Sequence, residues 1–210
     1  MIRRNLSIGL LSCLLVLFAG PVCAQRNHYV RWVDDGDTVV LGDGRRVRYI
    51  GINAPEVARK EKKGEPFGEA ARDFNRRLVF KQNVRLELDE EKYDPYKRLL
   101  AYVFLKNEDF VNQLIVARGL AYVLYRKPNI KYHKLLLQTQ RRAMDQHEGM
   151  WRNWKETEGR YPGSKRSKRF HLPDCPNGKK IYKRNRVYFS RQWDAFRAGY
   201  APGKRCFSAP

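Results

Sequence analysis

The chain has 210 residues, 43 Lys+Arg against 22 Asp+Glu, and a formal charge of +21. A hydrophobic share of 42% with 12% aromatics excludes a wholly disordered chain, and the length holds one full-sized domain with a small appendage rather than two large ones. The excess charge calls for an anionic partner and is uneven, +2 over residues 1–24, +7 over 25–159 and +12 over 160–210.

In chain order, Arg3 and Arg4 precede the apolar run Leu6–Gly20. At 15 residues this run is shorter than the roughly 20 needed to span a bilayer as a helix. It closes on Val22-Cys23-Ala24, a small-residue pattern of the kind signal peptidase cuts. Residues 1–24 therefore read as a signal peptide and the mature chain is expected to begin at Gln25, exported and without a membrane span. Cys13 and Cys23 leave with the signal. Cys175 and Cys206, 31 residues apart, are then expected to close one disulfide in an oxidising compartment.

Tyr29–Asp34 and Thr38–Leu41 are β-rich runs, and Gly42-Asp43-Gly44 turns the chain into a third run, Arg46–Ile52. Ala71, Phe74 and Leu78 recur at helical spacing within Gly68–Phe80. Val84–Leu88 alternates apolar with charged residues, and Leu99–Leu105 suits a central strand. A second helix spans Asp109–Arg118 with Gly119 as its stop, and after a short strand a third spans Ile130–Gln146, entered through Pro128-Asn129. The fold class expected over residues 25–154 is α+β, a five-stranded β-barrel with three helices. Residues 155–169, basic and turn-rich, read as a linker. Residues 170–210 read as a small basic module, with a strand at Val187–Ser190 and a helix at Arg191–Ala198 that turns Trp193 and Phe196 inward.

Three clusters carry chemistry: Asp34-Asp35-Gly36-Asp37-Thr38, Arg48 through Asn53-Ala54-Pro55-Glu56, and Asp94-Pro95-Tyr96-Lys97-Arg98. Singly they are commonplace, since Asp-Gly-Asp marks turns and an acid after Ala-Pro suits a helix start. Phosphodiester hydrolysis needs hard oxygen ligands for a divalent cation, positive charge for the phosphoryl oxygens and a carboxylate for the attacking water. Asp37 and Asn53 offer the oxygens. Arg48 and Arg98 offer planar forks suited to phosphate. Glu56 offers the carboxylate. The histidines are scattered, and neither a P-loop nor a Gly-x-Ser-x-Gly elbow is present.

Taken in order, these clusters resemble the staphylococcal nuclease (thermonuclease) family over about Arg31–Trp154. The matches include Asp35-Gly36-Asp37-Thr38, Arg48 followed by Pro55-Glu56, Asp94 through Arg98 into Leu100-Ala101-Tyr102, Val111-Asn112 and Arg118-Gly119-Leu120-Ala121. Lys127-Pro128-Asn129 and Gly149-Met150-Trp151 complete them. The resemblance implies an OB-fold barrel that cleaves DNA and RNA with one calcium ion. It implies Asp37 and Asn53 as metal ligands with the Ala54 carbonyl, Glu56 on the attacking water, and Arg48 and Arg98 on the scissile phosphate. Tyr96 matches a phosphate-contacting tyrosine, and Tyr125, in a loop about one residue shorter, a tyrosine that packs on a base. Asn53 stands where the family usually has Asp, which removes one negative charge and implies weaker calcium binding or another divalent metal. Lys97 stands where Gly is usual, and Ala54 where Thr is.

The tail is similar in outline to small Cys-bearing modules on exported bacterial nuclease-like proteins, and to a DNA-repair zinc-binding domain. In the latter a second Cys stands where this chain has Gly203. His171, Cys175 and Cys206 are one ligand short of a closed zinc site, so the disulfide is the expectation and zinc the alternative. Tyr182, Tyr188, Phe189 and Trp193 interleave with Lys and Arg; the rings suit the module's core and the cations suit phosphate. The expected protein is an exported, monomeric, metal-dependent nuclease for DNA and RNA, single strands preferred. The alternatives are a catalytically weak nucleic-acid-binding protein and a binder of anionic surface polymers.

Overall fold

The computed structural model describes residues 27–60, 63–155, 157–203 and 207. The expected signal peptide and Cys206 lie outside the described residues. Among the described residues, no helix is long and apolar enough to cross a membrane.

The chain opens with β1 (Asn27–Asp35), β2 (Thr38–Leu41) and β3 (Arg46–Tyr49). The expected third strand, Arg46–Ile52, divides at Gly51, whose φ of +80° turns the chain off the barrel into β4 (Ile52–Asn53). There follow α1 (Gly68–Val79), β5 (Asn83–Glu87), β6 (Leu99–Phe104), α2 (Val111–Ala117), β7 (Tyr122–Val123) and α3 (His133–Asp145). Strands β1-β2-β3-β6-β5 close a barrel in that order, antiparallel except for the β3–β6 pair. β4 and β7 form a separate antiparallel ribbon beside it. The fold is α+β with a closed five-stranded barrel, as expected.

Residue pattern explains the placement. Every residue of β6, Leu-Leu-Ala-Tyr-Val-Phe, is buried, which fits a strand covered on both faces. On α1 the buried stripe runs Ala71, Asn75, Val79, at helical spacing. Asn75 is the polar exception in that stripe: it donates to the Asp35 carbonyl at 3.0 Å and accepts from the Tyr49 hydroxyl at 3.0 Å. Both of its hydrogen-bonding ends are therefore satisfied in the core, and the helix is tied to the turn after β1.

The C-terminal residues build β8 (Glu158–Ser164), β9 (Arg169–Phe170), α4 (Pro176–Lys179), β10 (Arg186–Arg191), α5 (Gln192–Arg197) and β11 (Ala201–Pro202). Their sheet has the order β10-β8-β9-β11. This corrects the expectation that residues 155–169 are a linker, because 158–164 is an interior strand of the module's sheet. The glycine and proline that looked like linker residues are packing residues. A Cβ on Gly163 would lie 2.9 Å from the Phe189 ring and 3.1 Å from Tyr200, so only glycine fits between those rings.

The module is docked, not tethered. A second apolar core joins Ala143 and Met144 of α3 and Trp151 to Tyr161, Phe170, Ala195, Phe196 and Tyr200, with Tyr122, Trp154 and Trp193 packed against it. Trp151 is fully buried, and its ring centroid lies 5.1 Å from Phe196 and 5.8 Å from Trp193. Gln140 of α3 bridges the two parts: its Oε1 accepts from Val123 N–H at 2.6 Å, and its Nε2 donates to the Phe196 carbonyl at 2.7 Å.

Candidate active site

The site grows from the corner between β1 and β2. Asp37 N–H donates to Asp35 Oδ1 at 3.0 Å, which tightens the turn. A Cβ on Gly36 would fall 2.6 Å from both Ala54 Cβ and Ala71 Cβ. Glycine there lets the turn press against the chain after β4 and against α1, so two distant segments meet at Asp37.

Asp37 is buried, 4% exposed. Its Oδ2 accepts from Ala54 N–H at 2.7 Å and pairs with Arg48 Nη2 at 2.9 Å; its Oδ1 accepts from Thr38 Oγ1 at 3.1 Å. Burial pushes its carboxyl up to about 7; Arg48 pulls it down and the neighbouring Asp35 adds to the rise. A carboxylate in that position needs a cation to stay ionised. Arg48, opposite Thr38 in the β2–β3 register, supplies one. The same Nη2 donates to Asn53 Oδ1 at 3.0 Å, and Nη1 donates to the Tyr49 carbonyl at 2.9 Å. Arg48 thus lies between the side-chain oxygens of Asp37 and Asn53. Its Nε–H has no partner among the described residues and is available for phosphate.

Asn53 closes this group. Its Nδ2 donates to the Tyr122 hydroxyl at 2.9 Å and to the Ala54 carbonyl at 3.2 Å. Glu56 follows on a braced loop: its N–H donates to Glu65 Oε2 at 3.0 Å and its carbonyl accepts from Glu65 N–H at 2.8 Å. The Gly68 backbone approaches the Glu56 carbonyl too closely to admit a Cβ. The Glu56 carboxylate is half-buried and makes no hydrogen bond to a described residue.

Arg98 is held separately, ahead of β6. Asp94 Oδ1 accepts the N–H groups of Tyr96 and Arg98, each at 2.9 Å, and Asp94 Oδ2 takes Arg98 Nε and Nη2, each at 2.7 Å. Although burial raises the Asp94 carboxyl, these donors outweigh it and hold it below the usual carboxylate range. Tyr96 is 79% exposed, and the Arg98 guanidinium lies 5.5 Å from its ring centroid. Lys97 has φ +61°, so it adopts the left-handed conformation that a glycine takes without strain. The resulting turn keeps the Asp94–Arg98 bonds in place. Lys97→Gly is therefore expected to raise stability by about 0.5–1 kcal/mol in urea unfolding, relief of the left-handed strain being partly offset by the entropy of an added glycine.

Direct contacts gather Asp37, Arg48, Asn53 and Ala54. The side chains of Glu56, Tyr96, Arg98 and Tyr125 make no hydrogen bond, ion pair or ring contact with that group among the described residues. Tyr125 packs edge-on against His133, with centroids 4.9 Å apart. Two residues that sequence reasoning passed over stand at the site. Tyr122 receives the Asn53 amide across 69 positions of sequence, and only the β4–β7 register, in which Asn53 faces Tyr122, reveals the pair. Arg169 reaches the same region from the module. Burial lowers its pKa, Tyr122 raises it, and Arg126 and Arg48 lower it further. Its Nη1 donates to the Pro202 carbonyl at 3.0 Å, and no carboxylate pairs with it among the described residues. Asn75 had a legible signal, a lone amide on an apolar helical stripe.

A metal would find here the Asp37 carboxylate, the Asn53 amide oxygen and the Ala54 carbonyl. No three His, Cys, Asp or Glu side chains converge among the described residues. The donors are all hard oxygens of low total charge, and the buried Asp37 demands a cation, so the set fits a calcium-class ion and not a soft metal.

Comparison with known proteins places the chain by family. A family model described as staphylococcal nuclease homologue matches residues 46–153. A thermonuclease of Staphylococcus intermedius is 38% identical over 128 residues, covering 60% of this chain and 76% of that protein. A thermonuclease of Staphylococcus hyicus is 36% identical over 132 residues, covering 61% and 78%. Endonuclease YncB of Bacillus subtilis is 38% identical over 103 residues, covering 47% and 48%.

Proposed function

Because the chain belongs to the staphylococcal nuclease family, we propose that it is an exported, calcium-dependent nuclease that hydrolyses DNA and RNA with low sequence specificity and prefers single strands. The observation that carries this reading is the contact group at Asp37, Arg48, Asn53 and Ala54, which joins oxygen donors and a phosphate-matching guanidinium through successive contacts of 3.2 Å or less.

In this reading Asp37 Oδ, Asn53 Oδ1 and the Ala54 carbonyl hold the cation. When bound, the ion withdraws charge from a phosphoryl oxygen and raises the electrophilicity of phosphorus. Arg48 and Arg98 grip the phosphate from two strands, Arg48 through its remaining N–H groups and Arg98 from its Asp94 mount. Their charge meets the negative charge that grows on the equatorial oxygens. Glu56 orients the attacking water and takes its proton. Tyr96 contacts phosphate through its exposed hydroxyl, and Tyr125 packs on a base. Water attacks phosphorus in one step as the P–O bond to the opposite ester oxygen breaks and that oxygen leaves to take a proton from solvent, with no covalent enzyme intermediate.

Residues 1–24 are proposed as the export signal, residues 25–154 as the nuclease unit, and the C-terminal module as a basic extension that raises affinity for nucleic acid. A bridge from Cys175 to Cys206 is supported by the disulfide-bonded state of the buried Cys175. The working form is proposed as a monomer.

One observation favours the second reading, a nucleic-acid binder with an impaired cation site. Asn53 brings no charge, and its amide nitrogen rests on the Ala54 carbonyl that should face the ion. The deciding assay incubates residues 25–210 with denatured DNA and with RNA, in calcium, magnesium, manganese or chelator. Cleavage in calcium that chelator stops is expected. Equal, negligible cleavage by this chain and by Glu56→Ala with every ion returns the binder. Asn53→Asp is expected to lower the calcium concentration for half-maximal cleavage by about tenfold, since it restores a charged ligand. An unchanged calcium dependence would remove Asn53 from the ligand set.

A further inference from the structure

The Asn53 amide has two ends, and a neutral amide can be turned either way at little cost unless its neighbours choose. Two neighbours choose here, the Arg48 guanidinium and the Ala54 carbonyl. Arg48 can only donate, so the end it meets at 3.0 Å is the oxygen. The Ala54 carbonyl can only accept, so the end it meets at 3.2 Å is Nδ2, and the same nitrogen donates to the Tyr122 hydroxyl at 2.9 Å. Asn53 and Tyr122 face each other in the antiparallel β4–β7 ribbon, and directly opposed residues project to the same side, so the contact follows from register.

Tyr122 is itself placed from behind. Its ring meets Phe196 of α5 edge-on, with centroids 5.5 Å apart, and Phe196 in turn meets Phe170 and Trp151 edge-on in the second core. The next residue, Val123, is tied by its N–H to Gln140, which also holds the Phe196 carbonyl. Phe196 and Phe170 belong to the module, so the element that stands behind the Asn53 amide is the C-terminal extension and not the barrel.

We propose that Tyr122, seated on the C-terminal module, is a positioning residue that holds the Asn53 amide by its nitrogen, strengthens its oxygen as a ligand and so sets the calcium affinity of the cation site. The proposal rests on the reading of Asn53 as a ligand. Accepting a hydrogen bond from Nδ2 polarises the amide and makes Oδ1 a stronger donor to a cation, which partly compensates for the carboxylate that Asn53 lacks. A carboxylate at position 53 reverses the relation. It has no N–H to give, so the Tyr122 hydroxyl must turn and donate, which draws charge away from the ligand.

The two arrangements predict opposite signs for one substitution. In the full mature chain, Tyr122→Phe is expected to weaken calcium binding, followed by calorimetric titration of calcium, by about tenfold. In the Asn53→Asp background the same Tyr122→Phe change is expected to leave calcium binding equal or tighter. Equal calcium affinity of Tyr122→Phe and the parent overturns the proposal. So does an equal loss in both backgrounds, which would mark Tyr122 as merely structural. A parent chain that binds no calcium at this site overturns the ligand reading together with the proposal, whereas a parent that binds and an unaffected Tyr122→Phe overturns the proposal alone.

Discussion

Arg48→Ala is expected to lower kcat by about a thousandfold and to cost about 3–5 kcal/mol of stability at pH 9. The two losses have one origin. Arg48 and Asp37 are an ion pair with side chains 12% and 6% exposed, and the same guanidinium holds Asn53. Removing it takes away a proposed phosphate ligand and leaves an uncompensated buried carboxylate. Asp37→Asn in the same chain should recover most of the stability and none of the activity, because a neutral amide needs no cation. The pH dependence has a definite sign. Burial raises the Asp37 carboxyl to about 7, so the folded state holds its proton more tightly than the unfolded state. That contribution is present below the unfolded value near 4 and is lost as pH rises toward 7. With Arg48 gone the carboxyl rises further, so the stability gap between Arg48→Ala and the parent should narrow between pH 9, where the parent's Asp37 is ionised, and pH 5, where both are protonated. Urea unfolding at the two pH values measures it, and a gap independent of pH would show that the pair is not the cause.

Phe196→Ala is expected to destabilise the whole protein by about 3–5 kcal/mol and to lower Tm by about 10 °C. Phe196 is 4% exposed and its ring lies 5.1–5.5 Å from those of Trp151, Phe170, Trp154 and Tyr122, so the cavity opens at the seam between the two parts. A module on a flexible linker would lose only its own structure, and the barrel would melt unchanged. Because Trp151, Met144 and Ala143 are covered from the module side, a single cooperative transition is expected in the parent, and it should shift as one in Phe196→Ala. Truncation after Trp154 should likewise uncover this core and yield a poorly soluble chain. A truncated chain with the parent's Tm would separate the two parts.

Much of the barrel was legible because its evidence is local. Alternation in Val84–Leu88, the apolar run at Leu99–Leu105 and the spacing of Ala71, Phe74 and Leu78 are periodicities that one element reveals by itself. The misreading of residues 155–169 was local as well. Tyr161-Pro162-Gly163 has the composition of a turn, and the composition is right about chain flexibility in isolation. What makes it a strand is the partner β10, in which Phe189 and Val187 face Tyr161 and Gly163. Gly51 shows the reverse, a single residue whose left-handed backbone splits a run that otherwise reads as one strand.

At the site, residue types and order were determined by the sequence alone: two acids in a tight turn, a strand arginine, the Asn-Ala-Pro-Glu run and an Asp-anchored arginine loop. These follow from chemistry that any phosphodiesterase of this kind needs, and local spacing preserves them. Only the tertiary structure decided that Arg48 lies between Asp37 and Asn53, that Tyr122 receives the amide of a residue 69 positions away, and that the module stands behind that tyrosine. Such relations depend on strand register and on a core shared by distant segments, and both form only when the whole chain has closed its packing. The positive charge announced a polyanion from composition, whereas the orientation of one amide waited for the fold.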